Sequence, residues 1–184
     1  IGDFLTFAKP GTFAPERCDL VRILEDQLKL LRRSREFRPG HRIETRWNGS
    51  EVRCDADPDR MKQIFWNLAT NALKAMPSGG TLTLDLLAKE EERQVEIVFQ
   101  DEGVGMDEKE VDSYFQPFHG RFEEGTGLGA AIVYRLVQEH GGRITLDSRP
   151  GGGTTVRIRI PVEAAAPRSA EPALREAAAG GTTR

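Results

Sequence analysis

Two pairs of short apolar runs constrain this chain most, because each pair is joined by a connection too short for anything but an antiparallel hairpin. Residues 81–87 and 95–100 flank a charged turn, and residues 143–147 and 155–160 flank the glycine-rich string SRPGGGT. In the last run Val156, Ile158 and Ile160 alternate with Arg157 and Arg159, the period-two pattern of a strand with one buried face. Helical segments lie before and between the two pairs. Hairpins mixed with helices predict an α+β fold, a two-layer α/β sandwich with a mixed, largely antiparallel sheet, rather than a doubly wound parallel one.

The helical segments are well punctuated. Ile1, Phe4, Leu5 and Ala8 are apolar at helical spacing until Pro10-Gly11, so residues 1–9 read as the end of a helix. A second helix is expected over 19–35, capped by Asp19, with Leu20, Leu24, Leu28 and Leu31 on one stripe and Lys29, Arg32, Arg33 and Arg35 in its last turns. Short strands are expected at 42–47 and 51–54. A third helix has Asp57 as cap and Pro58 in its first position, and MPSGG at 76–80 stops it. A short helix over 108–114 and a last one over 128–140, closed by Gly141-Gly142, complete the set.

Composition narrows the class. The 184 residues suit one domain, and 29 acidic against 26 basic residues leave a net charge of -3, with no basic excess for nucleic acid and no Lys/Arg block for a membrane surface. No apolar run approaches the roughly 20 residues of a membrane span. Cys18 and Cys54 make neither a disulfide framework nor a metal spacing, which suits a reducing, cytoplasmic setting. The chain starts at Ile1 rather than Met, so it is expected to be a fragment. After Pro161 it turns to Ala, Pro, Glu, Arg and Gly with one leucine, too little apolar surface to order itself. The expected division is 1–14 helix end and linker, 15–162 domain, 163–184 tail.

Three constellations can do chemistry. On the third helix, Ile64, Phe65, Leu68, Ala69, Ala72, Leu73 and Met76 share one face, and Arg60, Gln63, Asn67, Asn71 and Lys74 the other. A polar helix face ordinarily means solvation. Two asparagines four apart fit that poorly, since Asn is a weak helix former. Asn67 and Asn71 would bring two amide oxygens to one side, with the Lys74 ammonium one turn on, and such oxygens suit Mg²⁺.

Second, DEGVGM at 101–106 directly follows the apolar run 95–99. An acid at the end of a buried strand can accept from an exocyclic amine while glycines let backbone approach a flat ring; alone, such a string is as often a tight turn. Third, GTGLGA at 125–130 opens the last helix, where small residues let backbone N–H groups converge on an anion. Gly125, Gly127, Ala130 and Asp147 also satisfy a dinucleotide fingerprint, but no strand directly precedes Gly125, and no GxxxxGK[ST] loop exists.

In this order the elements resemble the ATP-binding domain of sensor histidine kinases, in the superfamily shared with gyrase, Hsp90 and MutL. NLATNALKA at 67–75 looks like the N box, 101–106 the first glycine box, YFQPF at 114–118 the F box and 125–129 the second glycine box; HGGRI at 140–144 and GGGTT at 151–155 look like the family's closing strands. The resemblance implies the Bergerat-type fold and Mg-ATP. It implies that Asn71 holds Mg²⁺, that Asn67 sits by the phosphates, and that Lys74 reaches phosphate oxygens, with Asn67 and Lys74 as the catalytic pair. Asp101 would read the adenine amine, Gly103, Gly105 and Met106 would seat the ring, and Gly125, Thr126, Gly127, Leu128 and Gly129 would wrap the phosphates. Phe118 of the F box would also touch the nucleotide, and residues 119–124 would form a lid from which His119 or Arg121 reaches the γ-phosphate. Where gyrase-like ATPases place a water-activating glutamate this chain has Asn67, which favours transfer over hydrolysis.

The implied activity is transfer of the γ-phosphate to a histidine, with a dimerisation domain of the same kinase, a response-regulator receiver domain and a homodimeric parent as partners. None of His41, His119 and His140 has an acceptor's context, and residues 1–10 resemble the end of the second dimerisation helix of nitrogen-regulation-type kinases, so the acceptor is expected upstream. A water-splitting ATPase and a nucleotide-binding interaction module are the alternatives.

Overall fold

The computed structural model describes residues 12–117 and 127–163. The expected helix end at 1–9, the lid at 119–124 and the tail from 164 onward lie outside these residues.

Leu82, Leu84 and Leu86, Val95, Ile97 and Phe99, and Val156, Ile158 and Ile160 are all buried at alternate positions of their strands, which commits one face of a sheet to the core. The five-stranded sheet runs β2 (His41–Trp47), β4 (Gly80–Lys89), β5 (Gln94–Asp101), β7 (Thr154–Pro161), β6 (Arg143–Ser148). Only β2 and β4 pair in parallel; the other three pairings are antiparallel. Helices α1 (Leu20–Leu31), α2 (Pro58–Ala75) and α4 (Gly129–Glu139) make the second layer, with a short α3 (Glu108–Ser113) between β5 and α4. Phe65 of α2 lies in this core, its ring 6.0 Å from that of Phe99 on β5. The expected two-layer α+β sandwich is what forms.

Polar residues organise the other sheet face. Glu96 is buried there, and its carboxylate takes Arg159 at 2.6 Å and Arg157 at 3.5 Å. The arginines that alternate along β7 thus pay for the buried charge from a neighbouring strand.

Several features differ from the sequence expectation; the strand expected at 51–54 lies at Arg53–Ala56. Helix α1 ends at Leu31 rather than near residue 35, because the amides of Arg33 and Ser34 already turn back to Leu30 and Leu31, three residues behind. A strand β1 (Glu16–Asp19), which has no alternation to reveal it, pairs antiparallel with β3 (Arg53–Ala56) outside the main sheet. Helix α2 begins and ends where expected: the Asp57 side chain accepts from the amides of Asp59 and Arg60, and the turn after Met76 passes through Gly79 at φ +92°.

Candidate functional site

Helix α2 carries the asparagines, and its four-residue spacing sets both half-buried on one side. Each amide is already aimed. Asn67 donates from Nδ2 to the Gln63 carbonyl at 3.0 Å, so its Oδ1 turns outward, and a β-carbon on Gly129 would stand only 2.9 Å from that oxygen. Asn71 donates from Nδ2 to the Tyr114 hydroxyl at 3.4 Å. Lys74, one turn on, is exposed.

Gly129 is the first residue of α4. The other three helices are capped by aspartates: Asp19, Asp57 and Asp107 each accept from amides of the first turn. Among the described residues no side chain caps α4; the chain enters through Gly127 at φ +68° and Leu128, whose side chain is buried in the core. The first-turn N–H groups therefore keep their donors and the helix's partial positive charge for an anion. Leu128 can offer that anion only its backbone.

The acidic end of β5 meets the opposite end of α2. Asp101 is 9 % exposed and accepts from the Gly103 amide at 2.9 Å. Burial pushes its carboxyl up to about 6, against the opposing hydrogen bonds from the Gly103 and Thr154 backbones. A β-carbon on Gly103 would lie 2.7 Å from both the Ala75 carbonyl and its methyl, so only glycine lets this loop close under α2, where the Val104 amide donates to Ala75 at 3.0 Å. Gly105 sits at φ +64°, and a side chain there would collide with the Arg149 carbonyl. The Met106 amide is held by the Ser148 hydroxyl at 3.0 Å.

Along α2 these contacts tie Asn67 to Gly129, Asn71 to Tyr114, and Ala75 to Gly103 and so to Asp101, while Lys74 is exposed on the same helix. Phe118, His119, Arg121, Gly125 and Thr126 lie outside the described residues. Two participants escaped the sequence reading. Tyr114 is more than an F-box aromatic: its hydroxyl meets the Asn71 amide, and burial raises its phenol, which the Asn71 hydrogen bond lowers and the Asp101 charge raises. A buried tyrosine hydroxyl needs a polar partner, and that was the available signal. Ser148 carried no signal, since it reaches Met106 across 42 positions. A separate open groove of about 530 Å³ runs past Ala14, Asp57, Lys62, Gln63 and Arg135, and neither Lys74 nor Asp101 lines it.

Two histidines are structural. His41 accepts from the Arg38 amide at Nδ1, 3.0 Å, and donates from Nε2 to Met76 at 2.9 Å. His140 accepts from the Asp57 amide at Nε2, 3.1 Å, and donates from Nδ1 to Leu136 at 2.7 Å. Neither has a ring nitrogen to offer as a nucleophile.

The chain is similar to known proteins over most of its length. Over residues 56–164 the chain matches the family described as histidine kinase-, DNA gyrase B-, and HSP90-like ATPase. It is 32% identical over 161 residues to sporulation kinase A of Bacillus subtilis (strain 168), covering 88% of this chain and 26% of the relative. It is 32% identical over 164 residues to the sensor histidine kinase ZraS of Escherichia coli (strain K12), covering 88% of this chain and 34% of that protein. The chain thus spans about a third or less of these relatives' length. The solved structure of full-length ShkA in complex with AMPPNP superposes with a TM-score of 0.77 at 27% identity, over 90% of this chain and 35% of ShkA. Matching more than half its length to the family model, with relatives that are sensor kinases, the chain belongs to the histidine kinase-, DNA gyrase B-, and HSP90-like ATPase family as an ATP-binding domain of the sensor histidine kinase kind.

Proposed function

We propose that this chain binds Mg-ATP between α2, the start of α4 and the 101–106 loop, and passes the γ-phosphate to a histidine on a dimerisation domain that is not part of it. The observation that carries this reading is the start of α4, which no described side chain caps, set against the outward-facing Asn67 Oδ1. A phosphate chain supplies what that helix end lacks, and the AMPPNP complex of the similar ShkA supports a nucleotide there.

Each residue then has a task. The Asp101 carboxylate accepts from the adenine amino group, and a flat ring lies against the loop that Gly103 and Gly105 let close. Amides at the start of α4 take phosphate oxygens, and Lys74 adds a positive charge. Asn71 commits its Nδ2 to Tyr114, so its Oδ1 suits Mg²⁺, a cation that takes hard oxygens together with phosphates and water. Bound there, the metal would neutralise charge growing on the transferring phosphates. The acceptor imidazole attacks the γ-phosphorus with its nitrogen lone pair, the bond to the bridging β-γ oxygen breaks, ADP leaves, and the ring N–H proton passes to solvent. Asn67 has no basicity with which to activate water in the acceptor's place.

The dimerisation domain, a homodimeric parent on the cytoplasmic side and a response-regulator receiver domain are the partners this chemistry implies. Incubation with γ-labelled ATP and a dimerisation domain added in trans, worked up under alkali, tests the reading. Acid-labile label is expected on the added domain and not on this chain. Phosphate release that outruns transfer, with or without the acceptor, would instead make the chain an ATPase.

A further inference from the structure

Cys18 and Cys54 face each other across the two-stranded ribbon of β1 and β3. The Leu20 amide donates to Val52 at 2.9 Å. Because antiparallel pairs alternate two by two, Cys18 and Cys54 fall at a hydrogen-bonded pair, whose Cα atoms stand about 5.5 Å apart. That spacing lies within the range a disulfide spans, about 4.4–6.8 Å. The Cβ atoms must close by about 1 Å, and a two-stranded ribbon outside the main sheet has the freedom to twist for it.

Cys18 Sγ turns toward the partner strand, 3.6 Å from the Cys54 carbonyl and 3.9 Å from that of Ala56. The two thiols differ in their surroundings. Cys54 is fully buried, whereas Cys18 is only partly covered. The hydrogen bond from Cys54 lowers the Cys18 thiol, and the same bond together with burial raises Cys54. One sulfur is thus reachable and inclined to ionise, and the other is protected and protonated.

We propose that Cys18 and Cys54 form a hydroperoxide-reactive dithiol site that closes to an intramolecular disulfide stapling β1 to β3. The Cys18 thiolate attacks a peroxide oxygen, the O–O bond breaks, and hydroxide leaves, giving a sulfenic acid. Cys54 sulfur then attacks Cys18 sulfur, losing its proton, and the sulfenic oxygen departs as water. Both oxidising equivalents come from the peroxide. The staple sits where the chain enters the domain, and β3 ends at Ala56, directly before the Asp57 cap of the helix that carries Asn67 and Asn71.

Treating the chain with hydrogen peroxide and reading intact mass, thiol content and melting temperature tests this. The expected product has lost two hydrogens and both thiols, stays monomeric, melts higher because the bond closes a loop between residues 36 positions apart, and reverts with dithiothreitol. Cys18→Ser should leave the Cys54 thiol intact, and Cys54→Ala should stop at a Cys18 sulfenic acid that dimedone traps. The proposal fails if both thiols persist in peroxide that consumes free glutathione, or if the only disulfide joins two chains. Oxidation of Cys54 in Cys18→Ser as fast as in the parent chain would overturn Cys18 as the attacking thiol.

Discussion

The Oδ1 atom of Asn67 occupies the space that a β-carbon on Gly129 would need, 2.9 Å from its ideal position. Backbone strain is absent here, because Gly129 is helical and not at positive φ. The Gly129→Ala variant therefore separates folding from function. The obstacle is the end of a side chain, which can swing aside, and alanine favours a helix over glycine by up to about 1 kcal/mol. The melting temperature should stay level or rise slightly. The displaced amide should cost about tenfold in ATP affinity, read by calorimetric titration. Unchanged affinity would mean that Asn67 does not face the phosphates.

Asp101 makes the opposite exchange, function kept at the expense of stability. Its folded pKa of about 6 lies above the ordinary carboxylate value of 3.8. For a carboxyl raised by folding, the associated stability is present at low pH and is lost as pH rises through about 6. At neutral pH the buried charge costs on the order of 2–3 kcal/mol. Asp101→Asn keeps an oxygen for the Gly103 amide and removes the charge. It should shift the urea midpoint upward while lowering nucleotide affinity at least about tenfold. A variant that is both less stable and fully competent to bind would contradict the assignment.

Tyr114 positions the Asn71 amide, so removing its hydroxyl should act on the metal rather than on the base. In Tyr114→Phe the Asn71 side chain loses the acceptor that fixes its Nδ2. The Mg²⁺ concentration needed for half-maximal ATP binding should rise several-fold, about what one lost hydrogen bond supplies, with metal-free nucleotide affinity unchanged. An equal loss with and without Mg²⁺ would point to a ring that merely packs.

The sequence made the frame of this site legible because its elements announce themselves locally. Asp57-Pro58 starts α2 and the glycines after Met76 stop it, so the faces of Asn67 and Asn71 followed from helical period alone. Val156, Ile158 and Ile160 declared the inner face of β7 in the same way. Long-range partners were the illegible part. Four residues, ERCD, contain no alternation, and β1 exists only because β3 supplies its hydrogen bonds. Tyr114 and Ser148 enter the site through contacts 43 and 42 positions away, which no local pattern encodes. The glycine boxes lay between these extremes: their small residues were visible, but the reason for Gly103, the wall formed by Ala75, belongs to the tertiary structure.

His140 gives a second pH dependence, of opposite sign to that of Asp101. It is 5 % exposed, with the Asp57 amide donating to its Nε2 and the Phe13 ring meeting it edge-on at a centroid distance of 4.9 Å. Burial holds its pKa below the ordinary 6.5, and a proton on Nε2 would set two donors against each other at the start of α2. For a base lowered by folding, the unfolded chain binds the proton first, so the stability is present above about 6.5 and is lost as pH falls. In the parent chain the two groups partly cancel between about pH 7 and pH 5. Asp101→Asn removes one of them, and its urea midpoint should then fall steadily over that interval. Adding His140→Gln should lower stability at neutral pH, through the lost Asp57 contact, and flatten the remaining dependence. A midpoint in Asp101→Asn that stays level down to pH 5 would show that His140 takes up a proton without disturbing the cap of α2.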